Sequence, residues 1–102
     1  MPDDELTLQV LRQIDQAESQ KSLAQRLGIS VGKANYVLKA LIEKGLIKAE
    51  RFIASSDKRR YSYLLTSEGI RKKIELSEIF IERKKREYEE LVRELESIKN
   101  NG

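Results

Sequence analysis

Ser30, Gly32, Lys33, Asn35, Tyr36 and Lys39 crowd into the segment SVGKANYVLK. The two ammonium groups can neutralise phosphate or donate to guanine O6 and N7. The Asn35 carboxamide matches the donor and acceptor that adenine shows at N6 and N7, and the Tyr36 ring can contact a phosphate or a thymine methyl. Ser30 and the N–H groups around it can hold a phosphate, and Gly32 permits close approach of a bulky partner. The set fits a polyanion with readable edges.

No comparable set exists for catalysis. Cysteine and histidine are both absent, which removes disulfides, thiolate chemistry, imidazole bases and nearly every zinc or copper site. Ser55-Ser56-Asp57 has no base partner and reads as turn chemistry. Paired carboxylates occur only within salt-laced helical stretches, and no glycine-rich phosphate loop is present. Neither an enzyme nor a cofactor or metal site is expected.

The elements that must position these groups can be read from the apolar spacing. A first helix is expected over about 4–16, capped by Asp3 or Asp4, with Leu6, Val10, Leu11 and Ile14 at helical intervals. The polar stretch Gln16–Gln20 breaks it. A short helix over roughly 20–27 turns Leu23, Ala24 and Leu27 inward and stops at Gly28, with Ile29 plugging the core and Ser30 capping the third helix. That third helix, about 31–44, ends at Gly45. Val31, Ala34, Val37, Leu38, Leu41 and Ile42 form its apolar arc, Gly32, Tyr36, Lys39 and Glu43 lie opposite, and Lys33 and Asn35 flank them. Short helix, glycine turn and longer helix make a helix-turn-helix, whose second helix enters a major groove.

LIKAERF (46–52) and RYSYLL (60–65) read as two strands around the polar loop IASSDKR, a hairpin that makes a wing. Its cations Arg51, Lys58, Arg59 and Arg60 suit a phosphate backbone or a neighbouring minor groove. Lys21 and Ser22, at the start of the second helix, are further phosphate candidates. From Thr66 or Ser67 to about Asn100 the chain reads as one helix of roughly 50 Å, with Thr66 as its cap. Ile70, Ile74, Ile81, Tyr88, Leu91, Leu95 and Ile98 keep a heptad register interrupted by Ser77 and Lys84. A lone helix cannot bury that stripe, so self-association is expected there. The basic runs 71–73 and 83–86 are both read as solvated surface, the second paired within the helix with the glutamates at 82, 87, 89 and 90 that bracket it.

The expected fold is therefore mainly α with a small β-hairpin wing: a winged helix-turn-helix over 1–66 and a long dimerisation helix over 67–102. Charge agrees with a nucleic-acid partner. The net charge is +3, yet residues 21–66 carry ten basic and three acidic groups, a basic middle that favours a polyanion. No apolar run approaches the length of a membrane span, and the acidic start MPDDE is the opposite of a signal peptide, so a cytoplasmic protein is expected. An adaptor that uses the winged helix as a protein–protein scaffold, with the long helix as its coiled-coil partner, is the alternative reading. RNA binding is a third.

SLAQRLGIS, VGKANYVLKALIEKGLIK, the wing with YSYLLT, and SEGIRKK together resemble the MarR-family winged helix-turn-helix regulators. The combination of NYxLKALIEKG with YLLTxEGI resembles the small members associated with exopolysaccharide gene clusters. The resemblance implies a homodimeric, sequence-specific double-stranded DNA-binding transcriptional regulator, with a polysaccharide operon as target. It carries the family's DNA contacts onto Ser30, Gly32, Lys33, Asn35, Tyr36, Lys39, Arg59 and Arg60. Larger MarR proteins frame a ligand crevice with N- and C-terminal helices. Here a single short helix and one long helix replace them, so no small-ligand pocket is implied.

Overall fold

Each helix begins on a side-chain cap, and the second and third helices each end at a glycine turn. The computed structural model describes residues 3–16, 19–53 and 59–101, with α1 (Asp4–Gln13), a 3-10 turn (Ile14–Gln16), α2 (Gln20–Leu27), α3 (Val31–Glu43), β1 (Ile47–Ile53), β2 (Arg59–Leu65) and α4 (Ser67–Asn101). The Asp3 carboxylate accepts the Leu6 N–H at 2.7 Å, and Asp4 and Glu5 place further negative charge at the positive end of α1. The Ser19 hydroxyl caps α2 by accepting from the Ser22 N–H at 3.1 Å.

The helix expected over 4–16 is thus shorter by a turn. It ends at Gln13, and the tighter 3-10 turn after it carries Ile14 into full burial against β2. Leu11, Ile14, Leu23, Leu38, Leu41, Ile47 and Leu76 are the large residues buried completely, drawn from elements all around one core. Each contributes about 1.5–3 kcal/mol of burial.

On α3 the buried arc is narrower than the sequence suggests. Ala34, Val37, Leu38 and Leu41 are fully covered, whereas Val31 is 47% and Ile42 38% exposed. At about 100° per residue the four buried positions span only about 100°, and Val31 and Ile42 fall beyond one edge of that arc. Ile29 stays half-buried instead of plugging the core.

The two strands pair antiparallel from Ile47 opposite Leu65 to Ile53 opposite Arg59, one residue further toward the tip than expected, while Leu46, expected in the first strand, lies before it. Ile47 and Tyr63 are buried on one face at the base, while Lys48, Glu50 and Leu64 are exposed. The hairpin is therefore rooted in the core by its first rungs and projects from it.

α4 leaves the hairpin through a tight crossing at its first turn. The Thr66 N–H donates to the Leu46 carbonyl at 3.1 Å, and the Thr66 hydroxyl lies 2.6 Å from the Gly45 carbonyl and 3.0 Å from that of Leu46. The same hydroxyl accepts the Gly69 N–H at 3.0 Å, capping α4 as expected. Gly69 is buried here, and a Cβ at that position would overlap the Leu46 carbonyl oxygen. Beyond this crossing Leu76 enters the core and Phe80 packs on its edge beside α1. From Ile81 onward every described side chain is exposed apart from the half-buried Val92. The radius of gyration, 18.4 Å, exceeds the roughly 13 Å of a compact chain of this length, because α4 extends past the core.

Gly69→Ala forces backbone against backbone, where no side chain can swing aside. We expect a loss of at least about 3 kcal/mol in urea unfolding, and stability within about 1 kcal/mol of wild type would refute the crossing.

Candidate nucleic-acid interface

The turn between α2 and α3 is built on Gly28, which sits in the left-handed region at φ 67°. That conformation suits glycine because it lacks Cβ, and it lets the Ile29 N–H reach back to the Ala24 carbonyl at 3.0 Å. Ser30 comes next as the cap of α3, accepting the Lys33 N–H at 3.1 Å. α3 closes in the same manner, with Gly45 at φ 75° and the Leu46 N–H returned to the Leu41 carbonyl. Both ends of α3 are thus fixed by local hydrogen bonds, while its buried face is fixed by the core.

The opposite face is open. Gly32, Lys33, Tyr36 and Lys39 are exposed, Tyr36 by 54% despite its large ring. No acidic residue occupies the first turn of α3, so the positive helix end is uncompensated. Gly32 has helical backbone and no neighbour within 4 Å of where a Cβ would stand. Nothing in the fold calls for glycine there, and a helical glycine costs about 1 kcal/mol relative to alanine. The absent side chain leaves room for something outside the chain.

Asn35 differs from the others. It is half-buried on the flank, and its Oδ1 accepts from Gln20 Nε2 at 3.0 Å. The bidentate adenine pairing expected from its residue type needs that oxygen, and Gln20 already takes one of its two lone pairs. Gln20 itself reads in the sequence as the end of the helix break and the start of the second helix, and no spacing there signals its bridge to a residue fifteen positions away.

Of the flanking candidates, Lys21 is exposed on the first turn of α2 and Ser22 is half-buried beside it. Arg51 lies in β1 opposite Tyr61, and Arg59 and Arg60 lie in β2 opposite Ile53 and Phe52. These three positions are placed by the hairpin register alone, and Lys58 at the wing tip lies outside the described residues, as do Ser55, Ser56 and Asp57.

α4 presents a second surface. Ile70, Ile74, Ile81, Tyr88, Leu91, Leu95 and Ile98 are all about half exposed or more, with Ile98 reaching 70%. Beside Ile81 a groove runs between α1 and α4, lined by Leu8, Phe80, Arg12 and Lys84 among others. Of the two basic runs on this helix, the first pairs with its neighbours, Arg71 with Glu68 at 2.8 Å and Lys72 with Glu75 at 3.5 Å. The second is exposed, as read from the sequence, but without the intrahelical pairing expected for it. Among the described residues no ion pair engages positions 83–86, and the Arg83 guanidinium lies over the Phe80 ring, 4.8 Å from its centroid. No described helix is long and apolar enough to cross a membrane.

Residues 3–48 match the family model of winged helix-turn-helix DNA-binding domains. No curated protein matches by sequence. Among solved structures, a single-residue variant of Staphylococcus aureus MepR superposes with a TM-score of 0.69 at 27% identity, covering 99% of this chain and 74% of that one. The S. aureus MepR–DNA complex gives 0.69 at 25% identity, covering 94% and 72%. A Lactococcus lactis ZitR variant gives 0.62 at 30% identity, covering 86% of this chain and 57% of the other. The chain is a winged helix-turn-helix protein whose architecture, long C-terminal helix included, is similar to that of MepR.

Proposed function

We propose that this protein is a sequence-specific double-stranded DNA-binding transcriptional regulator of the MarR type, acting as a homodimer. The open face of α3 around Gly32 carries the reading. A glycine that internal packing does not need, flanked by Lys33, Tyr36 and Lys39, suits a helix that lies close against base pairs. The likeness to MepR in its DNA complex supports it. Ser30, Gly32, Lys33, Asn35, Tyr36 and Lys39 form the recognition surface. Lys21, Ser22, Arg51, Lys58, Arg59 and Arg60 supply phosphate and groove contacts from α2 and the wing.

The apolar stripe from Ile70 through Ile98 supports pairing of two copies through α4, with residues 1–66 as the DNA-binding unit and 67–102 as the dimerisation unit. Two-fold pairing sets the recognition helices about 34 Å apart on one face of the duplex. The resemblance to regulators of exopolysaccharide clusters makes a polysaccharide operon the first place to seek the operator.

Three measurements test this. Gly32→Ala should raise the melting temperature by about 4–8 °C, since it gains about 1 kcal/mol of helix propensity, yet lower affinity for an operator duplex. Both quantities rising together would remove the close-approach role. Lys39→Ala and Arg59→Ala should each weaken binding, by about tenfold if a charged hydrogen bond is lost. Arg59→Ala should also flatten the salt dependence by about one unit; unchanged affinity in both variants would overturn the site. Finally, light scattering should report a pair of 11.8 kDa chains for wild type and a single chain for Leu91→Glu, Leu95→Glu. A mass unaltered by those substitutions would refute pairing through α4.

A further inference from the structure

Gln20, the first residue of α2, joins two elements that a DNA-binding winged helix must hold in register. One Nε2 hydrogen faces Asn35 Oδ1 on α3 at 3.0 Å, and Nε2 also lies 3.4 Å from the hydroxyl of Tyr63 on β2. Gln20 and Asn35 are half-buried, while Tyr63 is 7% exposed and part of the core. The amide nitrogen of Gln20 has two hydrogens and these are its two partners. Tyr63 anchors the bridge, because a ring packed in the core cannot follow a moving side chain.

We infer that Gln20 is a positioning residue that sets the polarity of Asn35 and so selects the base it reads. The inference rests on the DNA-binding reading above. Gln20 takes one of the two lone pairs of Oδ1 and holds that oxygen toward α2, so the group this bridge leaves to an outside partner is the Nδ2 donor pair. A donor pair suits an acceptor edge. In the major groove guanine presents two acceptors, O6 and N7, whereas adenine pairing requires the asparagine oxygen as well. The base contacted by Asn35 is therefore guanine, in place of the adenine expected from residue type alone.

The test is selection of bound duplexes from a random pool by the full chain, comparing wild type with Gln20→Glu. This substitution keeps size and shape but replaces the donor by a second acceptor. Asn35 then turns its amide to donate inward and offers its oxygen to the DNA, which suits the amino groups of cytosine or adenine. We expect wild type to enrich guanine at one position and Gln20→Glu to shift that position alone, by about tenfold, toward cytosine or adenine. Asn35→Ala should abolish preference there, and adding Gln20→Glu to it should change nothing more, as for residues acting through one contact. The same base selected by wild type and Gln20→Glu overturns the inference while leaving the DNA-binding reading intact. A wild-type chain that binds no duplex in dilute buffer overturns both. Should Gln20→Glu fail to fold, Asn35→Asp in the wild-type background decides: its carboxylate can accept from Gln20 and still present an acceptor outward, so an unchanged guanine preference overturns the inference.

Discussion

The crossing of Gly69 over Leu46 is the constraint on which the rest of the structure depends. At this point the turn from α3 into β1 at Gly45 and Leu46, Thr66 just after β2, and the first turn of α4 meet through the Thr66 side chain and two carbonyls. Only a residue without Cβ lets α4 pass at that distance. The hydroxyl of Thr66 then satisfies backbone groups on both sides of the passage. Because α3 is fixed at its C-terminal end by the same turn, the direction of α4 and the direction of α3 are set by one joint. A surface presented by one helix is thereby held at a fixed angle to a surface presented by the other.

That joint gives the two halves of the molecule different energetics. The first four turns of α4 are held by Leu76 and Phe80 against α1, and their burial is part of the stability of the core. The remainder, from Ile81 onward, buries almost nothing. An apolar stripe on an isolated helix is a standing cost to solubility and offers no packing to the monomer. The groove beside Ile81, with Leu8 and Phe80 in its walls, continues the stripe toward α1. Ser77 and Lys84, which interrupt the stripe, also line this groove, with Glu5 and Arg12 of α1 opposite.

α3 shows the opposite balance. Ala34, Val37, Leu38 and Leu41 hold it to the core, and much of its remaining circumference is left to lysine, tyrosine and a glycine that packing does not require. Asn35, half-buried on its flank, is tied inward. The resulting face is anchored on its buried side and polar where it is open. The similarity to MepR extends from this helix through α4, whereas the match to the winged helix-turn-helix family stops at residue 48; the architecture is shared over a longer stretch than the motif.

Much of this was legible in the residues. Glycines at 28 and 45, a serine at 30 and apolar spacing at 3.6 residues marked out the helices, because caps and periodicity are local and act within one or two turns. The outward set from Ser30 to Lys39 came from the same geometry. The features left open depend on contacts between distant elements. The burial of Leu76, off the heptad stripe, is decided by which side of α4 meets α1. Exposure of Val31 and Ile42 is decided by how far neighbouring helices wrap around α3. The need for glycine at 69 comes from the carbonyl of Leu46 on another element, and the inward turn of Asn35 from a glutamine on another helix. Local propensity is written along the chain, but the partner of a buried face or a side-chain amide exists only once the elements have packed.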